Sequence, residues 1–269
     1  MSLAAIGFGT GDLVQAVRPF VTDDARIVSK GQLEIETYPE HIVGEQPAIF
    51  DWQLMLGYTF TEWFELIVGS PMLQPGGQVI QPKFLLYPSV PGSWVPGLAF
   101  GLGWVQDFRS HEVTEREEAR YLIGIMTWRL PDDVLQVHLN VGPREGWSNI
   151  KQFRSNDWFW GIGFDWGLWF DLNWRVIGEH FRGDPLDPMP SQSSFQYGMR
   201  YLQSDEVNFD ITFGQQLNPH WSSEGHSEFG NSGMVRVEHW VQVGIRLLFN
   251  TPWVVNPSAE GASGLWPRH

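Results

Sequence analysis

Twelve acidic and basic residues sit where they could act on a solute in a confined space: Glu34, Glu36, Asp51, Glu65, Lys83, Asp165, Asp171, Arg175, Glu179, Arg200, Asp210 and Arg246. Each lies in a run where large apolar residues alternate with polar ones, so a period of two puts the charge on one face of a strand and the apolar bulk on the other. The chemistry this predicts is selection, not bond making. Charged rings facing inward across a tube set which solutes pass. The same residues could instead pair with one another and fill a narrow interior, and both readings stay open.

Constellations for catalysis or metal binding do not assemble. Among eight His, only His220 and His226 share a loop, and with Glu224 and Glu228 beside them they read as a solvated loop. Glu112, Glu115, Glu117 and Glu118 read as a wet loop face. A membrane-embedded hydrolase would need Ser, His and an acid meeting at one barrel edge, and nothing brings His138 to a serine. The expectation is therefore no enzyme, no metal and no cofactor. Zero Cys excludes a disulfide framework and fits passage through an oxidising compartment. A net charge of -14 argues against a nucleic-acid partner, since nothing would neutralise a phosphate backbone.

The elements that must position the charges are strands. Residues 195–202 and 207–214, joined by the polar stretch 203–206, form the clearest hairpin. In its second half Val207, Phe209, Ile211 and Phe213 alternate with Asn208, Asp210, Thr212 and Gly214. Further strands are expected near 32–41, 48–60, 63–70, 79–87, 97–108, 120–129, 134–141, two within 159–181, and 237–249, about twelve in all. Pro82 marks a bulge or a poorly bonded position, and Tyr87 is placed on the polar face with Lys83. Loops are expected at 111–120, 142–156, 182–194 and 215–235. Long and short connections alternate, as in a membrane barrel with tight turns at one end and larger loops at the other, both termini lying at the tight end.

Two all-β folds accommodate such strands. In a soluble sandwich or lipocalin-like barrel the apolar face would be the core and the outer face rich in Lys and Glu. Here the polar face is Gly, Asn, Gln, Thr and Asp with scattered Arg, a composition suited to an enclosed lumen. Twelve strands of large apolar side chains also exceed what one barrel interior could hold. Trp63, Trp94, Trp128 and Trp169 fall near predicted turns and Trp158 near a strand end, where an interfacial girdle would lie. A mean hydropathy of -0.21 and the lack of any run of about 18 apolar residues do not weigh against strands that span a membrane. The predicted fold is an all-β, antiparallel up-and-down transmembrane β-barrel of about twelve strands. Its divisions are 1–16 as the remnant of an export signal peptide, 17–31 as a periplasmic lead-in, 32–249 as the barrel and 250–269 as a tail. The partners expected are outer-membrane lipid, a small-molecule solute and a protein at the tail.

The chain resembles the outer-membrane proteins of the MetA-pathway phenol-degradation, transporter-like family. The residues that carry the resemblance are Arg18-Pro19-Phe20-Val21-Thr22-Asp23-Asp24, then Lys30-Gly31-Gln32-Leu33-Glu34, Leu135-Gln136-Val137-His138-Leu139-Asn140-Val141-Gly142, and Val241-Gln242-Val243-Gly244-Ile245-Arg246. It spans about 18–249 and implies a bacterial outer-membrane barrel admitting small aromatic or other hydrophobic molecules. In one respect the chain departs: such barrels end on an aromatic, which Phe249 would supply, yet residues 250–269 follow. The function expected is a porin-like channel or transporter. The alternatives are a closed structural or partner-binding barrel and a soluble β-barrel or sandwich that binds a ligand.

Overall fold

The computed structural model describes residues 21–43, 49–71, 77–107, 117–148, 153–186, 192–217 and 239–251. Twelve strands form one closed antiparallel barrel: β1 (Gln32–Val43), β2 (Ile49–Thr61), β3 (Phe64–Pro71), β4 (Gly77–Tyr87), β5 (Gly97–Asp107), β6 (Glu117–Arg129), β7 (Leu135–Ser148), β8 (Phe153–Leu168), β9 (Asp171–Arg182), β10 (Ser193–Ser204), β11 (Val207–Leu217) and β12 (His239–Asn250). Each strand pairs with its neighbours in sequence and β1 closes on β12, so no edge is left open.

The faces are oriented as the alternation requires of a membrane barrel. Phe209, Ile211 and Trp174 point outward at 39%, 42% and 40% exposure, while Asp210, Asn140 and Arg175 point inward at 4%, 2% and 0%. Trp63 and Trp169 are exposed in two-residue turns, Trp94 is exposed in the connection 88–96 at the same end, and Trp158 is exposed towards the far ends of the strands. Trp128 is half-buried near the end of β6. Connections at one end are short, with two residues at 62–63, 169–170 and 205–206. This is called the turn end and its opposite the loop end.

Several expectations need correction. The predicted loop 142–156 is largely strand, because Gly142, Arg144 and Gly146 continue the inward face of β7 while Pro143, Glu145 and Trp147 continue the outward one. β8 likewise begins at Phe153, and β6 begins at Glu117 inside the predicted charged loop. Of the two alternatives at Pro82, the poorly bonded position holds and the bulge does not: Pro82 sits in register opposite Leu66, and the β4–β5 ladder passes over Gln81 and Pro82 with its register kept. The bulge lies between Leu85 and Tyr87 and turns Tyr87 outward.

The largest correction concerns the lead-in. Residues 21–28 do not lie outside the barrel but run through its lumen, with Thr22, Asp23, Asp24, Ala25 and Val28 buried. Gly31 ends this segment with φ +80°, a conformation that favours glycine, and turns the chain from the lumen into the wall. Its N–H donates to Thr59 O at 2.8 Å, and its carbonyl accepts from Thr251 N at 3.1 Å. Residues 1–16, expected from sequence to be the remnant of an export signal, residues 17–20, the loop residues His220, Glu224, His226, Glu228, Glu112 and Glu115, and the tail from 252 lie outside the described residues.

Candidate functional site: the lumen

The inner wall is built by the polar halves of the alternating strands, and at the turn end it is a continuous charge network. Arg200 grips Asp210 with two parallel bonds, Nε to Oδ1 at 2.7 Å and Nη2 to Oδ2 at 3.0 Å, and its Nη1 reaches Asp165 Oδ2 at 2.9 Å. Arg175 Nε donates to the other oxygen of Asp165, and its Nη2 donates to Asp133 O at 2.7 Å. Arg129 clasps the Asp133 carboxylate and so ties the 131–133 turn beneath the lumen. On the other wall Arg246 donates to Glu34. Such charge-assisted pairs are strong because they are dry and, with Arg, bidentate.

The second layer is the inserted segment. Glu179 gathers its start: Oε1 accepts from Val21 N at 2.8 Å, and Oε2 from Thr22 N at 2.8 Å and Thr22 Oγ1 at 2.7 Å. Gln196 Nε2 adds a fourth bond to the same carboxylate at 2.7 Å. Asn140 binds Asp23 on both sides, accepting from its N–H at 2.5 Å and donating to its carbonyl at 2.8 Å. Lys83 Nζ pairs with Asp23 Oδ1 at 2.7 Å, and Ala25 N donates to Thr127 Oγ1 at 2.8 Å. Asp24 pairs with Arg26. Burial alone would raise the Asp24 carboxyl, but Arg26, Lys83 and His138 outweigh it and hold the group well below the usual carboxylate range.

Two glycines make room for this segment. A Cβ at Gly161 would stand 2.5 Å from Thr22 Cγ2, and one at Gly163 would stand 2.5 Å from Thr22 Oγ1. Towards the loop end the inner surface changes character: Tyr38, Met55, Val79, Val105, Tyr121, Ile123 and Phe159 form a buried apolar cluster that Ala25 joins. A cavity of about 50 Å³ remains around the segment, between this cluster and the charges of Glu34, Glu36, Glu65, Lys83 and Arg246.

Of the twelve residues the sequence offered, ten line the lumen: Glu34, Glu36, Glu65, Lys83, Asp165, Arg175, Glu179, Arg200, Asp210 and Arg246. Asp171 does not. It opens β9 at the turn, where its Oδ1 accepts from Asn173 N at 2.9 Å, because the alternation there gives way to turn geometry. Asp51 lies on β2, but its side chain is outside the described residues. Sequence reasoning missed the inserted segment, its receptors Asn140, Thr127 and Gln81, and the apolar inner cluster. The signals were present as the inward pair Gly161 and Gly163 and as 119–125, where the inward Ala119, Tyr121, Ile123 and Ile125 carry no polar side chain except the Tyr hydroxyl.

The closed sheet, apolar outside and charged within, defines a twelve-stranded barrel of the outer-membrane type. The chain belongs to the family described as Uncharacterised conserved protein UCP029691, whose model matches residues 80–225. No curated protein matches it. Among solved structures it is similar to the KdgM porin, with 13% identity and a TM-score of 0.51 over 80% of this chain and 98% of that one. It is also similar to the NanC porin, with 8% identity and a TM-score of 0.50 over 79% and 98%. At these identities the likeness is one of fold.

Proposed function

We propose that this chain is a bacterial outer-membrane channel for small molecules, aromatic or otherwise hydrophobic ones in preference to bulky polar solutes. The observation that carries this reading is the division of the lumen: an apolar, partly aromatic inner wall towards the loop end, followed by a charged constriction towards the turn end. A hydrophobic solute would be desolvated against the first, while the second excludes large solutes and sets the preference for ions. The outer wall supports the location. On β8 the outward residues from Trp158 to Leu168 cover ten residue steps, about 33 Å of strand at roughly 3.3 Å each. Tilted by about 40°, that is an apolar band of about 25 Å, the height of such belts in outer-membrane barrels. Phenol-type aromatics are the solute class the family resemblance suggests. No bond making is assigned to the lumen.

A second reading, a closed barrel without transport, is favoured by the segment at 21–28, which hydrogen bonds hold in place within the barrel. The two differ in whether that segment moves. The chain has no Cys, so the pair A25C/T127C introduces a clean tether between segment and wall. In planar bilayers and swelling liposomes the channel reading expects measurable conductance and uptake of a phenol-sized aromatic in the reduced state, both suppressed on oxidation and restored by reductant. Absence of conductance in every redox state supports the closed barrel.

A further inference from the structure

We infer that the outer wall of β6–β8 near the loop end is a binding site for the phosphorylated sugar headgroup of an outer-leaflet glycolipid; this rests on the outer-membrane reading above. The outward faces of the described strands are almost free of charge. Apart from Asp171 in the turn geometry at the start of β9, the Asp, Glu, Lys and Arg residues with described side chains that face outward are Glu118, Arg120, Glu145, Arg154 and Arg182, all on the adjacent strands β6 to β9 and all in their loop-end halves. A random scatter of solvated charges would not gather on four neighbouring strands.

The first four of these line clefts in the outer surface. One cleft, of about 310 Å³, is bounded by Glu118, Arg120, Glu145, Trp147 and Arg154. A second, of about 400 Å³, continues from Arg120 and Glu145 to Asn156, Pro143, Leu122 and Trp158. Glu145 is the register partner of Arg120 on β6 and of Asn156 on β8, and Arg154 sits opposite Trp147, so the two arginines flank one carboxylate. Both arginine side chains are 67% exposed; Arg154 Nη2 pairs with Glu145, and Arg120 Nη2 lies 3.6 Å from Glu118, beyond hydrogen-bond length, so the guanidinium N–H groups that these contacts do not use are the donors for an incoming group.

The mixture of groups selects the ligand. A bare phosphate would meet Arg120 and Arg154 but also the carboxylates of Glu118 and Glu145, which repel it. A phosphorylated sugar satisfies all of them: phosphate oxygens accept from the guanidiniums, sugar hydroxyls donate to Glu145 and bond Asn156, and the Trp147 face supplies a flat apolar surface. Immediately towards the turn end the wall becomes Leu122, Val141 and Trp158, exposed and apolar, where acyl chains of the same molecule would lie. Headgroup chemistry above an apolar belt is what an amphipathic glycolipid requires and a soluble phosphate does not.

The full-length protein, purified in detergent, is titrated with lipid A carrying two phosphates, with its dephosphorylated form, with phosphatidylglycerol and with inorganic phosphate, and bound lipid is counted by native mass spectrometry. The expected result is at least a tenfold preference for the bisphosphorylated glycolipid over the other three. The double variant R120Q/R154Q is expected to lose that preference while keeping wild-type heat-modifiable gel migration. Equal binding of phosphorylated and dephosphorylated lipid A by the wild type overturns the proposal whether or not the variant folds; so does a folded variant that binds as the wild type does. Conductance and membrane fractionation of the same preparations report on the channel reading separately, since they fail without it whatever lipid is bound.

Discussion

Arg175 and Arg200 stand directly opposite one another on β9 and β10, with Asp165 accepting a hydrogen bond from each. Like charges in cross-strand register are destabilising unless a counter-charge serves both, and here one carboxylate on β8 does so from within the same dry interior. Asp165→Asn should therefore leave two buried guanidiniums facing each other, a loss of about 3–5 kcal/mol of the kind seen when one partner of a buried pair is removed. Removing Arg175 as well should restore part of it, since Arg200 keeps its bidentate pair with Asp210, so D165N/R175Q is expected to cost less than the sum of the single changes. Denaturant midpoints in detergent, read by intrinsic Trp fluorescence, measure both.

The close approach of Thr22 to Gly163 gives a direct handle on the segment. Gly163→Val would put side-chain carbon into the space held by Thr22 Oγ1, where even a Cβ comes within 2.5 Å. The segment should be displaced and the single-channel conductance should rise, with little change in barrel stability because the wall hydrogen bonds are untouched. Thr22→Ala, by contrast, removes one bond to Glu179, should cost about 1 kcal/mol of docking, and should produce brief openings in place of a persistent one.

What the sequence made legible follows from period. Strand number and face orientation depend only on alternation over eight or more residues, and Val207 to Phe213 or Leu135 to Val141 carry that signal unaided. Ten of the charges face inward for the same reason. Asp171 failed because a strand's first residue obeys its turn. The segment at 21–28 was missed because Thr22, Asp23 and Asp24 are polar, and a polar stretch ahead of a strand reads as solvated unless its receptors are known. Those receptors, Asn140 on β7, Glu179 on β9 and Lys83 on β4, are more than fifty residues away in sequence and converge only when the barrel closes.

Acid should loosen the segment, and the sign follows from Asp24. Its carboxyl is held below the usual carboxylate range by Arg26, Lys83 and His138 against the opposing effect of burial. A depressed folded value contributes stability that is present above the unfolded value, about 3.9, and that is lost as the pH falls through the folded one. Docking should thus be insensitive to this group between pH 7 and 5 and weaken below about pH 4. Conductance recorded at pH 7, 5 and 3 checks it. Asp24→Asn should raise conductance at pH 7 and flatten the response below pH 4.

Depth-dependent cost of charge on the outer face separates a lipid-facing wall from a solvent-facing one. Ile211 lies mid-strand on β11 and Trp169 in the two-residue turn between β8 and β9; both are exposed. If lipid covers the wall, Ile211→Lys should cost about 2–4 kcal/mol and Trp169→Lys about 0–1, since the penalty for a cation falls from the midplane to the interface. Were the wall bathed in water, both changes would fall within about 0.5 kcal/mol, as surface substitutions usually do. Guanidinium unfolding of the protein folded into lipid vesicles supplies the two numbers. Equal and small values would place the apolar face in solvent and remove the basis for a membrane-spanning barrel; a gap of about 2 kcal/mol or more between mid-strand and turn fixes the turn end at the headgroups and the apolar band in the hydrocarbon.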